Sequence, residues 1–445
     1  MKRYLQIILV GFFILSLCGC DGGGFFPQSR EISDIVIIRI FAVDKLDNGN
    51  VRVTVSGKSD SASSSSGEEG KSSEQKQAFL LSCEDKTVSA ATRGLQEYSD
   101  KALFWGHVDV CLIGEDAAKE NIREYMDFVS RDSKFRLNAN IFVTRGQAFD
   151  FLVEANTDQY YLPDYITNIA ASMTTISQNF ELRVLGLLTT LENSYVSSSV
   201  VPTLATGDQK DDQESLDQAQ EDQQPQENPL ESDGEGQSEQ EDSDETQKDT
   251  QGQEKKLKQS NALTRPIVRI DAYAIINEWQ LVGFIEKEQM RGYNFIANKI
   301  ESPIVQLYEP SGKYAALEIT GGSSKIVPKI ENGDVTGATI DLKTYANIDE
   351  VKSPEFELIE GTIHFMEEGL IEEITAEIEA VIALAKHYRT DFLGISNAIM
   401  HKHPKLWDQI KDNYDELFQN LDITVQANAN INRTYDIRDF KKDVD

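Results

Sequence analysis

An acidic stretch in the middle of the chain sets the main limit on how it can fold. Between Gly207 and Ser260 the sequence carries 18 acidic residues and five lysines, a net charge of −13 over 54 positions, with three leucines, no aromatic residue and no β-branched aliphatic residue. Such a segment buries too little apolar surface to offset its ordering entropy, and its charges repel one another. We therefore predict a disordered acidic linker over residues 206–262. It separates two blocks, residues 31–205 and 263–440, that are each long enough to form a core.

The whole chain is acidic, with a formal net charge of −32 over 445 residues. No basic stripe is available to neutralise phosphates, which argues against nucleic acid as a partner. Capture of divalent cations is an alternative role for the acidic linker, but it lacks the D-x-[DN]-x-[DN]-G spacing of an ordered calcium loop. We interpret the linker as a spacer.

The amino terminus has the parts of an export signal. Two basic residues precede an apolar run that ends at Leu17 and is shorter than the roughly 20 residues of a membrane span. The run closes in "SLCGC", where an aliphatic residue and two small ones precede Cys20, as in a bacterial lipobox. We predict a lipoprotein signal peptide over residues 1–19, lipidation of Cys20, and a flexible tether over residues 20–30. The alternative is an ordinary signal peptide or an uncleaved anchor in which Cys20 has no role.

Two cysteines remain for the folded part, because Cys18 leaves with the signal peptide and Cys20 carries the lipid. Cys111 lies in the strand-like stretch "HVDVCLIG", which favours a buried thiol, although a bridge to Cys83 stays open. Two cysteines are too few for a CxxC-type metal or redox site.

The first block mixes strand and helix patterns. "SDIVIIRIFAVDK" and "VRVTVSG" flank a turn at Asn48 and Gly49 and predict an antiparallel hairpin. "HVDVCLIG" and "LNANIFVT" predict further strands, and residues 115–129 predict an amphipathic helix. The Ser-rich stretch over residues 58–76 has no periodicity, which predicts a mobile loop.

The second block begins with strand patterns over residues 267–276 and 280–286. Apolar residues then recur every four positions from Leu370 to Ile382, with glutamates opposite, which predicts an amphipathic helix packed against a sheet. The chain closes on "ITVQANANIN", whose alternation predicts a strand with one buried face. The fold class that follows is α+β, with two mixed α/β blocks, largely antiparallel sheets and the disordered acidic linker between the blocks.

Several stretches together resemble one family. They are "REISDIVIIRIFAVDK", "FWGHVDVCLIGEDAA", "FVSRDSKFRLNANIFVTRGQAFDFL", "INEWQLVGFIEKEQMRGYNFI" and "YRTDFLGISNAIMHKHPKLW". They resemble, in order and over nearly the whole mature chain, the Ger(x)C family, the C-subunit lipoproteins of spore germinant receptors. The resemblance implies an α+β lipoprotein held by acylated Cys20 on the outer face of the inner spore membrane. It also implies two integral membrane subunits as partners and a role in the response to small-molecule nutrients.

The resemblance brings no catalytic motif, and only Cys20 carries over with defined chemistry. His401 and His403 in "HKHP" are two positions apart, a spacing that favours a helix-end or surface role over a metal site. The sequence has no nucleophile elbow, phosphate loop or dinucleotide motif. We therefore predict a protein that is not an enzyme, with no catalytic, cofactor-binding or metal site. A free-standing solute-binding lipoprotein and an exported hydrolase are the alternative functions, and direct contact with a nutrient stays open.

Overall fold

The structure of the chain is a computed structural model. It describes residues 34–58, 78–157, 160–192, 198–207, 267–308, 314–352 and 360–432. The predicted signal peptide, Cys20 and the tether lie outside these ranges, as do nearly all of the Ser-rich loop and the acidic linker.

Nine strands form the larger of two sheets. Their bounds are β1 Ile35–Lys45, β2 Val51–Lys58, β3 Phe79–Asp85, β4 Ala102–Phe104, β5 Val110–Gly114, β6 Asn140–Thr144, β7 Ser198–Gly207, β8 Ile267–Asn277 and β9 Gln280–Glu286. The order is β3-β2-β1-β5-β6-β7-β8-β9, with β4 also paired to β1. Strands β1, β5, β6 and β7 run parallel in the centre, and antiparallel pairs flank them on both sides.

Helices cover both faces of the larger sheet. They are α1 Val88–Gly94, α2 Glu115–Arg131, α3 Ala148–Ala155, α4 Leu162–Thr175 and α5 Val184–Glu192. Strand β1 contributes side chains to two cores, one on each face of the sheet. Phe41 and Val43 pack with α1, α2 and α5, whereas Ile40 and Ala42 pack with α3 and α4. All four are fully buried, because successive side chains point to opposite faces and both faces are covered.

A second, four-stranded sheet carries the remaining helices. Its strands are β10 Ile304–Tyr308, β11 Tyr314–Glu331, β12 Asp334–Lys352 and β13 Asp422–Asn432, and the helices are α6 Lys287–Ile296, α7 Glu360–His387, α8 Ile395–Lys402, α9 Pro404–Ile410 and α10 Tyr414–Asn420. The stripe from Leu370 to Ile382 on α7 is buried against this sheet, as predicted. Strand β13 alternates as predicted, with Asn428 and Asn430 exposed and Ala427 and Ala429 packed against the core.

The fold class prediction is confirmed. Both blocks mix helices with strands, and six of the eleven strand pairings are antiparallel. The predicted hairpin joins β1 to β2, where Gly49 has a φ of 83° that suits glycine. The parallel centre of the larger sheet adds a feature that the sequence patterns do not contain.

The two blocks are separate in sequence but joined in the structure. Strand β8 pairs with β7 along its whole length, and Gly207 lies directly opposite Ile267. The acidic linker therefore connects two neighbouring, hydrogen-bonded strands. This corrects its interpretation as a spacer, because a segment that leaves and re-enters one sheet at adjacent positions does not set the distance between two bodies.

Candidate functional site

The lipidation site at Cys20 lies outside the described residues and stays a prediction. The position where the chain enters the fold is nevertheless defined. Ile35, the first residue of β1, lies opposite Ala102 in the parallel strand β4, and Val36 lies opposite Leu103. We call this end of the larger sheet the tether end.

Both cysteines of the described chain are free thiols. Cys111 is buried in the central strand β5, and burial alone raises its pKa to about 12. A thiol with a raised pKa is a poor nucleophile and metal ligand. The prediction of a buried thiol at Cys111 is confirmed, and Cys83 is half-buried on β3.

The predicted helix-end position of the "HKHP" histidines is confirmed. His401 lies in the last turn of α8, and His403 lies between α8 and α9, where its amide donates to the Ile399 carbonyl at 2.7 Å. Across the part of the chain that the structure describes, no cluster of three or more histidine, cysteine or carboxylate side chains is placed to hold a metal ion.

A groove of about 900 Å³ lies between α1 and α2, and we call it the α1–α2 groove. Trp105 and Phe128 line the groove and belong to a cluster of aromatic rings packed edge to face and in offset stacks beneath it. The Trp105 ring centroid lies 5.3 Å from that of Phe135, and Phe135 lies 5.2 Å from Phe41 and 5.6 Å from Phe128. Such pairs stabilise a core beyond their buried area.

The rim of the α1–α2 groove is polar and of mixed charge. Lys86, Arg93 and Lys134 face Glu124 and Asp132. Arg131 pairs with Asp127 at 2.7 Å one helical turn away. The Thr92 hydroxyl lines the groove with 9% of the residue exposed and has no hydrogen-bond partner among the described residues. The groove can therefore accommodate a small amphiphilic molecule, although no catalytic geometry is associated with it.

One buried carboxyl group of the larger sheet is that of Asp44, near the end of β1. It is 1% exposed, and its oxygens accept hydrogen bonds from the amides of Ala148 at 2.6 Å and Phe149 at 2.9 Å, at the start of α3. Burial raises its pKa to about 6, against the opposing effect of the two amides and of Arg52. Asp44 thus ties α3 to the sheet by satisfying helix amides that have no partner within the helix.

A charged contact joins α6 to α7. The Arg291 guanidinium pairs with the Glu377 carboxylate, with its Nε 2.9 Å and 3.0 Å from the two oxygens. Burial raises the pKa of Glu377, and Arg291 opposes that shift. Nearby, the Asn294 side-chain amide donates to the Ser177 carbonyl at 2.7 Å and to the Tyr273 hydroxyl at 2.9 Å. Of these contacts, the buried hydrogen bond between Asn294 and Ser177 joins the second block to the first.

Comparison with known families covers both blocks. A family model described as the spore germination protein N-terminal domain matches residues 28–206. A second, described as the C-terminal domain like spore germination B3 and GerAC, matches residues 271–435. The chain belongs to the Ger(x)C family. Ger(x)C membership shows a role in spore germination. The two matched ranges lie close to the two predicted blocks, whose domain limits stay predictions.

Two curated relatives of this Ger(x)C chain come from Bacillus subtilis (strain 168). Spore germination protein KC is 22% identical over 446 residues, covering 98% of this chain and 96% of the relative. Spore germination protein B3 is 20% identical over 427 residues, covering 95% of this chain and 96% of the relative. The crystal structure of the GerBC protein aligns with a TM-score of 0.49 at 15% identity, over 88% of this chain and 96% of that one.

Among the described residues, no helix combines the length and the apolar composition that a membrane span requires. The 28-residue helix α7 is long enough, but glutamates recur along one of its faces. Sequence reasoning missed the α1–α2 groove, which forms only when α1 and α2 pack side by side. It also missed Asp44, whose helix partner lies more than 100 positions away.

Proposed function

We propose that this protein is a membrane-anchored lipoprotein subunit of a nutrient germinant receptor. It assembles with two integral membrane subunits on the outer face of the inner spore membrane and is needed to trigger germination. The observation that carries the proposal is the match of both family models in order, together with the lipobox-like ending at Cys20. One acyl chain holds a protein on a membrane only marginally, so a diacylglyceryl group and contacts with the partner subunits act together.

The test is crosslinking and affinity purification of the full chain from the membranes of dormant spores. Two multi-spanning proteins are expected with the wild type and are expected to be lost with Cys20→Ala. Cys83→Ala is the matched control, since it removes a half-buried thiol of the folded part and leaves the anchor intact. Recovery of the protein without partners in all three samples would contradict the proposal.

The size of the α1–α2 groove supports a second candidate, a free-standing lipoprotein that binds a small solute. Its volume of about 900 Å³ lies within the usual range for small-molecule sites. Titration calorimetry of the purified chain against nutrient mixtures tests this function. Saturable binding in the absence of partners that is weakened by Arg93→Glu would favour the second candidate over the receptor subunit.

A further inference from the structure

Along the sequence, the tether end of the larger sheet is nearer to the predicted anchor than the opposite end is. Ile35 follows Cys20 by 15 positions. A chain of that length spans about 50 Å at full extension and about 20 Å on average as a flexible coil. Strand β1 has 11 residues, so its far end lies roughly 35 Å further away. The average reach of the tether therefore favours an orientation in which the tether end faces the membrane.

Two exposed aromatic side chains lie at the tether end. Tyr98 is 66% exposed and ends the 3-10 turn Leu95–Tyr98, and Phe104 is 42% exposed and ends β4. The carbonyl of Lys101 accepts a hydrogen bond from the Gln96 side chain at 2.8 Å, which holds the turn against β4. Aromatic side chains are enriched at the boundary between lipid headgroups and water, where one end of the ring is apolar and the other is hydrated.

The charges around these rings suit an anionic lipid surface better than the chain average does. In the segment that carries the rings, Arg93 and Lys101 balance Glu97 and Asp100. The end of α2 and the residues after it line the same groove as Ala102 and Leu103, and there Arg131 and Lys134 balance Asp127 and Asp132. The chain as a whole carries −32. The long basic side chains can lay their apolar stems along the surface and direct their charges to phosphates.

We propose that a tether-end surface, formed by Tyr98, Lys101, Phe104, Arg131 and Lys134, contacts the lipid headgroups of the membrane that holds acylated Cys20. Tyr98 and Phe104 enter the headgroup region, and the three cations lie against lipid phosphates. The inference rests on the proposed function, because the anchor at Cys20 brings this surface to the bilayer. It adds an orientation, with the larger sheet standing on its tether end.

The experiment places a fluorophore at one cysteine of the lipidated full chain, in a Cys83→Ser background that leaves Cys111 buried. Tyr98→Cys is the test position. Tyr345→Cys is the matched control, because Tyr345 is also an exposed tyrosine but lies on β12 of the second sheet. The proteins are bound to vesicles of phosphatidylcholine and phosphatidylglycerol that carry a nitroxide at headgroup depth. Quenching at position 98 is expected to be several-fold stronger than at position 345, with a blue-shifted emission.

Flotation of the same vesicles tests the anchor at Cys20 separately from the membrane-facing surface. If the chain floats and positions 98 and 345 are quenched equally or not at all, the membrane-facing surface is overturned while the anchor stands. If position 98 is shielded only when integral subunits are present, the surface binds protein, and the lipid assignment is overturned. If the chain does not float, both the anchor and the inference fail. Thermal melting of each labelled variant shows that the fold is retained.

Discussion

The backbone amide of Ile122, in the first block, donates a hydrogen bond of 2.8 Å to the carbonyl of Trp279, in the second. Helix α2 is interrupted at this point, since Asn121 has an extended backbone with φ −172° and ψ 101°. The tip of the β8–β9 hairpin lies at the interruption, with Glu278 and Trp279 both at positive φ. The Gln280 side chain adds a hydrogen bond to the Glu120 carbonyl at 2.8 Å. The hairpin thus satisfies backbone groups that the broken helix leaves without helical partners.

Replacement of Asn121 by alanine is expected to destabilise the protein, although alanine is the better helix former. The Asn121 side-chain oxygen accepts from the Arg123 amide at 3.1 Å and caps the second half of α2. Loss of such a cap costs about 1 kcal/mol. Chemical denaturation of Asn121→Ala measures the change, and Asn121→Ser, which keeps a capping oxygen, is the control. A more stable Asn121→Ala would mean that the helix becomes continuous and that the contact with Trp279 is dispensable.

The acidic linker is expected to be removable without loss of the fold. Gly207 and Ile267 are paired neighbours, so a short glycine-containing turn can replace residues 208–266. A shorter loop loses less entropy on closure, which predicts a gain of about 1–2 kcal/mol in the free energy of unfolding. Denaturation of the shortened chain checks this result.

The control for the shortened chain is Ala272→Pro. Ala272 is buried in β8, which pairs with strands on both sides, and proline removes a ladder hydrogen bond there. We expect this variant to unfold or to lose several kcal/mol, in contrast to the shortened chain. If shortening proved as damaging as the proline, the pairing of β7 with β8 would be in doubt.

Asp44 is expected to make stability depend on pH in the direction opposite to most carboxylates. Its pKa of about 6 in the fold lies above the value of about 3.9 of an unfolded aspartate. Between these two pKa values, the folded state therefore binds more protons than the unfolded state does. The stability contribution of Asp44 is full below about pH 4 and declines as pH rises through about 6, by up to roughly 3 kcal/mol.

Urea denaturation of the wild type and of Asp44→Asn at several pH values from 4 to 7 isolates this effect, since the other titrating groups are common to both. The difference in free energy of unfolding between wild type and variant should fall as the pH rises. A difference that stayed constant, or that grew with pH, would show that the two amides of α3 dominate over burial.

Local patterns predicted a large part of the fold. The hairpin at Gly49, the strand around Cys111 and the buried stripe of α7 follow from turn chemistry and periodicity. The interruption at Asn121 did not follow, because the apolar spacing from Ala118 to Val129 continues through it. The pairing of β7 with β8 was also missed, because partner choice between strands far apart in sequence leaves no local pattern. For function, Cys20 is readable as a motif, whereas the α1–α2 groove and the tether-end surface arise from packing.

Removing one partner of the ion pair between Arg291 and Glu377 is expected to lower the free energy of unfolding more than replacing both partners by apolar residues does. The Arg291 side chain is 27% exposed and that of Glu377 is 13% exposed. Arg291→Met leaves a largely buried carboxylate without its cation and should cost about 3 kcal/mol. The double variant Arg291→Met with Glu377→Leu should recover most of that loss. A double-mutant cycle by denaturation measures the coupling, and additive losses would indicate that the pair contributes through packing alone.

Helix α6 approaches α7 closely beside this ion pair, so replacing glycine by alanine is expected to have opposite effects on stability at Gly292 and Gly186. A Cβ atom at Gly292, within α6, would lie 2.5 Å from the Glu377 carbonyl oxygen, a backbone atom that cannot move aside without shifting α7. Gly292→Ala should therefore destabilise the protein by about 1–3 kcal/mol.

Gly186, within α5, is the matched control, since the nearest neighbour of an added Cβ atom would be a Leu182 methyl carbon at 3.7 Å. There, alanine should stabilise the helix by about 0.5–1 kcal/mol, because glycine loses more backbone entropy on folding. Thermal melting of both variants distinguishes the two effects, and a stabilised Gly292→Ala would contradict the close approach of α6 to α7.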